Sequence, residues 1–183
     1  YTKELKIKFD KKIFVSDLLF KLKKIKKDYI DNNILPNLHN EFDKNLFITF
    51  FSYLKDDFFP RKFNTYNDER GSFSEVVKSN SEGQFSYSLT NKGVIRGEHF
   101  HTRKIERFMV IRGKAEINLR RVNHNTVKKY LLDGSKPSYV DIPVWSTHNI
   151  KNIGNNDLVT LFWINEYYDD RNPDTYHELV EKK

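Results

Sequence analysis

The sequence predicts a mainly β domain preceded by a helical segment. From about residue 61 onward, short runs rich in Val, Ile, Phe, Tyr and Thr are separated by turn residues such as Gly and Asn-Asp. Before that point, apolar residues recur at helical spacing instead. Several short strands at such intervals are typical of a β-sandwich or barrel. We therefore divide the chain into a helical segment, residues 1–60, and a β domain, residues 61–183.

Two helices are predicted in the first segment. Residues 15–30 carry apolar side chains at close to helical spacing, and Ser16 or Asp17 is the expected N-terminal cap. A second helix is predicted over residues 39–54, after the breaker-rich residues 31–40. Many lysines lie in the first 28 residues. A lysine-rich face on an amphipathic helix is usually solvated, so we expect no nucleic-acid partner.

The β domain contains strand-like runs with turn residues between them. These runs are residues 73–79, 83–90, 107–113, 115–122, 138–144 and 158–166. Within residues 83–90, Gln84, Ser86 and Ser88 share one face because strand side chains alternate. They could line a pocket, although solvent-facing positions would show the same pattern.

The amino-acid composition limits the classes of protein to which this chain can belong. Of 183 residues, 38% are hydrophobic and 15% aromatic, which is enough for a core. No apolar run approaches the roughly 20 residues of a membrane helix, and no secretory signal pattern opens the chain. Cysteine is absent, so a metal would need His, carboxylate or water ligands, and a cytoplasmic location is expected. The net charge of +7 favours an anionic partner.

The stretch GEHFHTRKIERF, residues 97–108, contains candidate metal ligands. His99 and His101 are two residues apart, so on a strand they face the same side. Glu106 follows the short turn TRKI and is expected on the neighbouring strand, facing inward. Two imidazoles and a carboxylate suit a divalent metal, and His148 could add a fourth ligand. The remaining histidines have no partner at ligand spacing and are expected at the surface: His39, His124 and His177.

The spacing of these residues resembles the first metal motif of the cupin family. Gly93, His99, His101, Glu106 and Gly113 match it at every position. The second cupin motif matches in part: some positions fit (Pro143, His148 and Asn152), while two glycines are replaced (by Pro137 and Trp145). The resemblance implies a cupin double-stranded β-helix, or jelly-roll barrel, in which His99, His101, Glu106 and His148 hold the metal.

Two further segments are similar to the signature of cupins that epimerise nucleotide-linked 4-keto sugars. The matching positions are Asp68, Arg70, Gly71, Phe73 and Glu75 in the first, and Arg96, Gly97 and His99 in the second. The resemblance implies a substrate pocket lined by Arg70, Phe73, Glu75 and Arg96, to which Gln84 and Ser86 are added by strand parity. It also implies a homodimer in which Arg70 contacts the diphosphate, a role that suits the guanidinium fork.

The base for proton transfer is not identified by these motifs. In metal-free epimerases of this kind, the histidine at the His99 position is the base, whereas here His99 is interpreted as a metal ligand. The candidates that lie close to the motif in sequence are Glu98, Tyr87 and Lys104.

Residues 61–176 more closely resemble the C-terminal zinc cupin domain of CapF-like enzymes of capsular polysaccharide synthesis. Shared segments include DERGSF, HNI, VTLFWINE and NPDTY. This resemblance implies zinc and epimerisation at carbon 3 of a UDP-linked 4-keto-6-deoxy-N-acetylhexosamine, on the route to UDP-N-acetyl-L-fucosamine. Residues 1–60 then resemble the tail of a short-chain reductase domain plus a linker. With neither a glycine-rich dinucleotide fingerprint nor a Tyr-x-x-x-Lys pair, we expect no NAD(P) binding and no reductase activity.

Because one fold serves many activities, two alternatives remain open. One is a metal-dependent nucleotide-sugar isomerase, which would use the same enolate chemistry. The other is a non-catalytic cupin that binds a sugar nucleotide or dimerises the chain.

Overall fold

The structure is a computed structural model that describes residues 12–81, 83–136 and 138–182. The chain divides into two compact units, and the boundary lies between Pro60 and Arg61. The first unit is helical and the second consists of β-strands, in agreement with the predicted fold class.

The first unit contains both predicted helices. Its elements are α1 (Val15–Ile25), a π-helical turn (Lys26–Asp31), the short strand β1 (Ile34–Leu35), α2 (Glu41–Ser52) and a 3-10 turn (Asp56–Phe58). The predicted cap of α1 is wrong, because Phe14 occupies the N-cap position and no side chain caps the helix there. No helix in the described part of the chain is long and apolar enough to span a bilayer.

Aromatic side chains hold the helical unit together. The Tyr29 ring lies 5.2 Å from that of Phe47 and 6.1 Å from that of Phe58, measured between centroids. A salt bridge of 2.7 Å between Lys21 and Asp43 joins α1 to α2. The lysines of residues 1–11 lie outside the described residues. The resemblance of residues 1–60 to a reductase tail stays a prediction.

The second unit is built from two antiparallel sheets. Its strands are β2 (Thr65–Asp68), β3 (Gly71–Ser79), β4 (Gly83–Thr90), β5 (Ile95–Phe100), β6 (Glu106–Arg112), β7 (Lys114–Arg121), β8 (Val127–Asp133), β9 (Ser138–Ile142), β10 (Ser146–Asn152), β11 (Leu158–Ile164) and β12 (Tyr176–His177). The first sheet has the order β2-β3-β4-β11-β6-β9 and the second β12-β5-β10-β7-β8. Strands β2, β5, β8, β10 and β12 lie outside the predicted runs, although His99 of β5 was expected on a strand.

The core lies between the two sheets. Val110 of β6 and Leu158 of β11 come from the first sheet, and Ile117 of β7 and Ile150 of β10 come from the second. All four belong to one cluster of buried apolar side chains. Because inward positions alternate along each strand, polar residues at the same parity also point into the barrel, and these build the site.

Gly97 provides a test of how closely β5 and β10 must approach. Its φ is +100°, and an added Cβ would lie 2.7 Å from the carbonyl oxygen of His148. We expect Gly97→Ala to lower the free energy of unfolding by about 2–5 kcal/mol, measured by urea denaturation, because it adds a clash to backbone strain.

Gly93→Ala is the matched control. Gly93 has φ +75°, but nothing lies within 4 Å of its added Cβ, so only the backbone cost of about 1–2 kcal/mol is expected. Equal losses of unfolding free energy in the two variants would contradict the close approach of β5 to β10.

Candidate metal centre

The four predicted ligands converge from both sheets. His99 lies in β5, His101 follows the end of β5, and His148 lies opposite His99 on the neighbouring strand β10. Glu106 begins β6, which belongs to the other sheet. The expectation that Glu106 lies on the strand neighbouring the histidines is therefore wrong. Residues 102–105 carry the chain from one sheet to the other, so the carboxylate meets the imidazoles across the interior.

The ligand atoms of the four side chains lie close together. One nitrogen or oxygen from each residue lies within 4.8 Å of all the others. Glu106 Oε2 is 3.0 Å from His148 Nε2 and 3.3 Å from His101 Nε2. His148 is fully buried and His101 is 4% exposed. The cluster is therefore set into the barrel wall rather than on the outer surface.

Backbone carbonyls select the tautomers of two imidazoles. His101 Nδ1 contacts the carbonyl oxygen of Asp174, and His148 Nδ1 lies 3.3 Å from that of Ser146. A carbonyl oxygen can only accept, so each Nδ1 carries the proton. Each Nε2 is then the ring nitrogen that faces Glu106.

This arrangement leaves buried acceptors without donors. His101 Nε2, His148 Nε2 and Glu106 Oε2 are buried and have no hydrogen-bond partner among the described residues. Their mutual contacts of 3.0 and 3.3 Å do not form hydrogen bonds. Buried polar atoms are costly unless paired. A divalent cation would pair all of them, and three imidazoles with one carboxylate form a suitable ligand set.

The pKa shifts of two of these residues favour the protonation state that can bind a metal. Burial alone would raise the pKa of Glu106, but the neighbouring His148 and His101 lower it well below its usual value. Burial lowers the pKa of His99 to about 4, and the proximity of His148 acts in the same direction. For His101, burial lowers the pKa but contact with Glu106 outweighs that effect, so the pKa is raised. At neutral pH Glu106 is thus an anion and His99 is neutral.

Three members of the cluster, His99, His101 and Glu106, line a cavity of about 580 Å³, whereas the fully buried His148 does not. The cavity wall includes the residues predicted to bind substrate: Arg70, Phe73, Glu75, Gln84, Ser86 and Arg96. Ser88 is buried but is not part of the wall. Phe108 and Phe162 add an apolar surface, with ring centroids 4.6 Å apart.

Two arginines in the cavity wall share one carboxylate. Arg70 Nε donates to Asp68 Oδ2 at 3.0 Å, and an Arg96 nitrogen lies 3.8 Å from Asp68 Oδ1. The hydrogen bond from Arg70 lowers the pKa of Asp68, which is therefore ionised at neutral pH. Glu69 also interacts favourably with both guanidinium charges, so two arginines and two carboxylates lie close together at this part of the site.

Of the three proton-transfer candidates, Lys104 alone lines the cavity. Glu98 instead accepts hydrogen bonds from Asn149 Nδ2 at 2.6 Å and from the Val180 backbone N–H at 2.7 Å. Tyr87 alternates with the cavity residue Ser86 along β4 and is not part of the wall. Glu98 therefore has a structural role.

Other residues of the site were not predicted from the sequence. Tyr66, Tyr168 and Thr175 also line the cavity; Thr175 lies in the shared segment NPDTY but was given no role there, and no motif indicates the two tyrosines. Trp145, which replaces a motif glycine, has φ +59°, and its backbone N–H donates to the His101 carbonyl at 2.7 Å. The turn therefore keeps the left-handed conformation without glycine. Pro137 lies outside the described residues, and the three histidines predicted at the surface are exposed.

Residues 66–176 match the family described as Polysaccharide biosynthesis C-terminal domain. The chain belongs to this family. Its structure is similar to that of CapF with the inhibitor 3-isopropenyl-tropolone, with a TM-score of 0.80 and 40% identity over 91% of this chain and 48% of the other. It is also similar to the capsular polysaccharide assembling protein CapF from Staphylococcus aureus, with a TM-score of 0.77 and 41% identity over 90% and 44% of the two chains. The predicted CapF-like cupin domain is confirmed.

Two further proteins are similar to the chain in sequence. The UDP-2-acetamido-2,6-beta-L-arabino-hexul-4-ose reductase of Pseudomonas aeruginosa is 39% identical over 132 residues, which are 72% of this chain and 35% of that protein. The spore coat polysaccharide biosynthesis protein SpsL of Bacillus subtilis is 24% identical over 62% of this chain and 82% of SpsL. The chain spans less than half the length of the CapF structures and of the Pseudomonas reductase.

Metal content tests the cluster directly. We expect about one divalent metal per chain, and a chelator that removes it should lower the free energy of unfolding by roughly 3 kcal/mol, because the ligand binds the folded state. His101→Ala and His148→Ala should each weaken metal affinity more than about 100-fold, which is beyond the effect of changing an outer partner. Elemental analysis and thermal unfolding measure these effects.

His124→Ala is the control, since His124 is exposed and is not part of the cluster. It should retain full metal content. Protein that takes up none of zinc, manganese, iron or nickel would show that the cluster is not a metal centre.

Proposed function

We propose that the chain is a metal-dependent epimerase that inverts carbon 3 of a UDP-linked 4-keto-6-deoxy-N-acetylhexosamine. This reaction would supply a precursor of UDP-N-acetyl-L-fucosamine for capsular polysaccharide. The observation that carries the proposal is the cluster of three histidines and a glutamate, three members of which line a cavity that also contains two arginines. The names of the relatives support it, since one refers to a UDP-linked sugar with a ketone at carbon 4 and another to capsular polysaccharide.

The proposed chemistry is proton abstraction beside a ketone. The hydrogen on carbon 3 is acidic because carbon 4 is a carbonyl. A divalent metal held by His99, His101, Glu106 and His148, with zinc the choice implied by the family, would supply Lewis-acid stabilisation of the enolate oxygen. Reprotonation on the opposite face inverts carbon 3.

The remaining cavity residues bind and orient the substrate. Arg70 and Arg96 supply the positive charge for the diphosphate, which guanidinium groups pair with readily. Gln84 and Ser86, joined by a hydrogen bond of 2.9 Å, present polar atoms for sugar hydroxyls. The phenyl rings of Phe73, Phe108 and Phe162 exclude water from the reacting carbon. A homodimer is also part of the proposal and can be tested by light scattering.

Lys104 is the proposed proton-transfer residue. It lines the cavity with its side chain 2% exposed, and its Nζ donates to the Pro173 carbonyl at 2.6 Å. Lys104 precedes Glu106 by two residues, so its backbone lies beside the ligand cluster.

Deuterium exchange distinguishes this activity from its alternatives. The metal-loaded chain is incubated with the UDP-linked 4-keto sugar in deuterium oxide, and mass spectrometry and proton NMR follow the product. We expect deuterium at carbon 3, because abstraction and return of that proton exchange it with solvent.

The other outcomes decide against the epimerase. A product with the ketone moved would identify a metal-dependent isomerase. Binding of the intact sugar nucleotide without exchange would identify a non-catalytic binding or dimerisation module. In either case the metal measurement stands independently of the reaction.

Replacing Lys104 tests its assignment. Lys104→Met should lower the exchange rate at carbon 3 by roughly 10²–10⁴-fold, the range for losing a general acid or base. Metal content should remain near one per chain, because Lys104 is not a member of the ligand cluster.

Lys92→Met serves as the control, since Lys92 is exposed and does not line the cavity. It should exchange at the wild-type rate. Wild-type exchange in metal-loaded Lys104→Met would assign proton transfer to another group.

A further inference from the structure

We propose that Asp174 is a positioning residue for the metal centre, holding both His101 and the turn that leads to Glu106. This inference rests on the proposed metal centre but not on the reaction carried out there. Asp174 lies more than sixty residues from the turn in sequence and is 4% exposed.

The carboxylate of Asp174 organises the turn between two ligands. It accepts hydrogen bonds from the backbone N–H groups of Thr102 at 3.1 Å, Arg103 at 3.0 Å and Lys104 at 3.1 Å. The Thr102 hydroxyl also donates to it. Buried N–H groups need acceptors, and here a single side chain provides them for three consecutive residues. The carboxylate therefore fixes the path of the chain from His101 to Glu106.

The backbone of the same residue orients the His101 ring. The Asp174 carbonyl accepts from His101 Nδ1, which turns Nε2 toward Glu106. Asp174 has φ +46°, a left-handed conformation that costs a non-glycine residue roughly 1–2 kcal/mol. Such a conformation persists where surrounding contacts determine it, and the hydrogen bonds to residues 101–104 provide those contacts.

The four ligands differ in what holds them in place. His99 and His148 lie opposite each other on paired strands, so the β5–β10 ladder sets their separation. His101 and Glu106 flank a turn that passes between two sheets, and no ladder joins them. Asp174 supplies the missing constraint. Outer partners that orient metal ligands typically change metal affinity 10–100-fold when removed.

The segment around Asp174 is attached to the same turn by other contacts. Arg103 donates to the Asn172 carbonyl at 2.8 Å, and Lys104 Nζ donates to the Pro173 carbonyl. Neither Asp174 nor the turn belongs to the buried apolar cluster between the sheets. Loss of the carboxylate contacts should therefore disturb ligand geometry more than folding.

Asp174→Asn is the main test, with Co²⁺ as the probe. Asparagine tolerates positive φ and is isosteric, but its amide nitrogen cannot accept the N–H groups held by one carboxylate oxygen. We expect about 10–100-fold weaker Co²⁺ affinity, measured by chelator competition, and a changed visible absorption spectrum of bound Co²⁺. A purely structural role would lower stability without altering that spectrum.

Asp133→Asn is the matched control. Asp133 accepts from the backbone N–H of Ser135 at 2.9 Å and from its hydroxyl, in a turn that carries none of the four ligands. It should show a comparable loss of stability with wild-type Co²⁺ affinity and spectrum. Wild-type affinity and spectrum in Asp174→Asn would overturn the inference.

A pair of threonine variants keeps the test decisive if Asp174→Asn does not fold. Thr102→Val removes the hydroxyl donor and should weaken Co²⁺ binding and shift the spectrum of bound Co²⁺. Thr102→Ser keeps the hydroxyl and should retain the wild-type affinity and spectrum. Indistinguishable binding in this pair would overturn the inference. Wild-type protein that binds no Co²⁺ would reject the metal centre itself, while metal binding without deuterium exchange would reject only the epimerase.

Discussion

The structure depends on holding three imidazoles and one carboxylate together in its interior. Three imidazole nitrogens and a carboxylate oxygen within 4.8 Å are unfavourable unless a cation compensates their lone pairs. The protein must therefore impose this geometry through its backbone. The two sheets achieve this by placing the histidines on one wall of the barrel and Glu106 on the other. The surrounding turns and hydrogen bonds then determine how closely the acceptors approach.

The end of the chain contributes to this scaffold. Arg120 is 1% exposed and donates to the carbonyls of Leu179 at 2.8 Å and Val180 at 2.7 Å. Glu98 binds the Val180 N–H from the strand that carries His99. Residues 174–180 thus contact β5, β7 and the ligand turn. This explains why Glu98, although next to a ligand in sequence, is used for structure rather than for proton transfer.

The sequence was sufficient to predict which four side chains meet but not how they are arranged. The two cupin metal motifs specify residue types and spacing. Matching them was therefore enough to predict His99, His101, Glu106 and His148. The sheet that contains Glu106 could not, because strand parity gives the side-chain direction within a strand and not the partner strand. Strand β10, STHNIKN, was missed because Ile150 is its only apolar residue. Asp174 was missed because its contacts are distant in sequence.

The turn 102–105 links the two proposed roles of the site. Its N–H groups bind Asp174, it joins two ligands, and it carries Lys104 into the cavity. The position of Lys104 Nζ is fixed in turn by the Pro173 carbonyl, one residue before Asp174. One set of backbone contacts therefore sets both the ligand geometry and the place of the proton-transfer candidate. In the proposed reaction, proton transfer at carbon 3 and stabilisation of the oxygen on carbon 4 must occur close together, and a shared rigid turn satisfies that requirement more directly than two independent loops would.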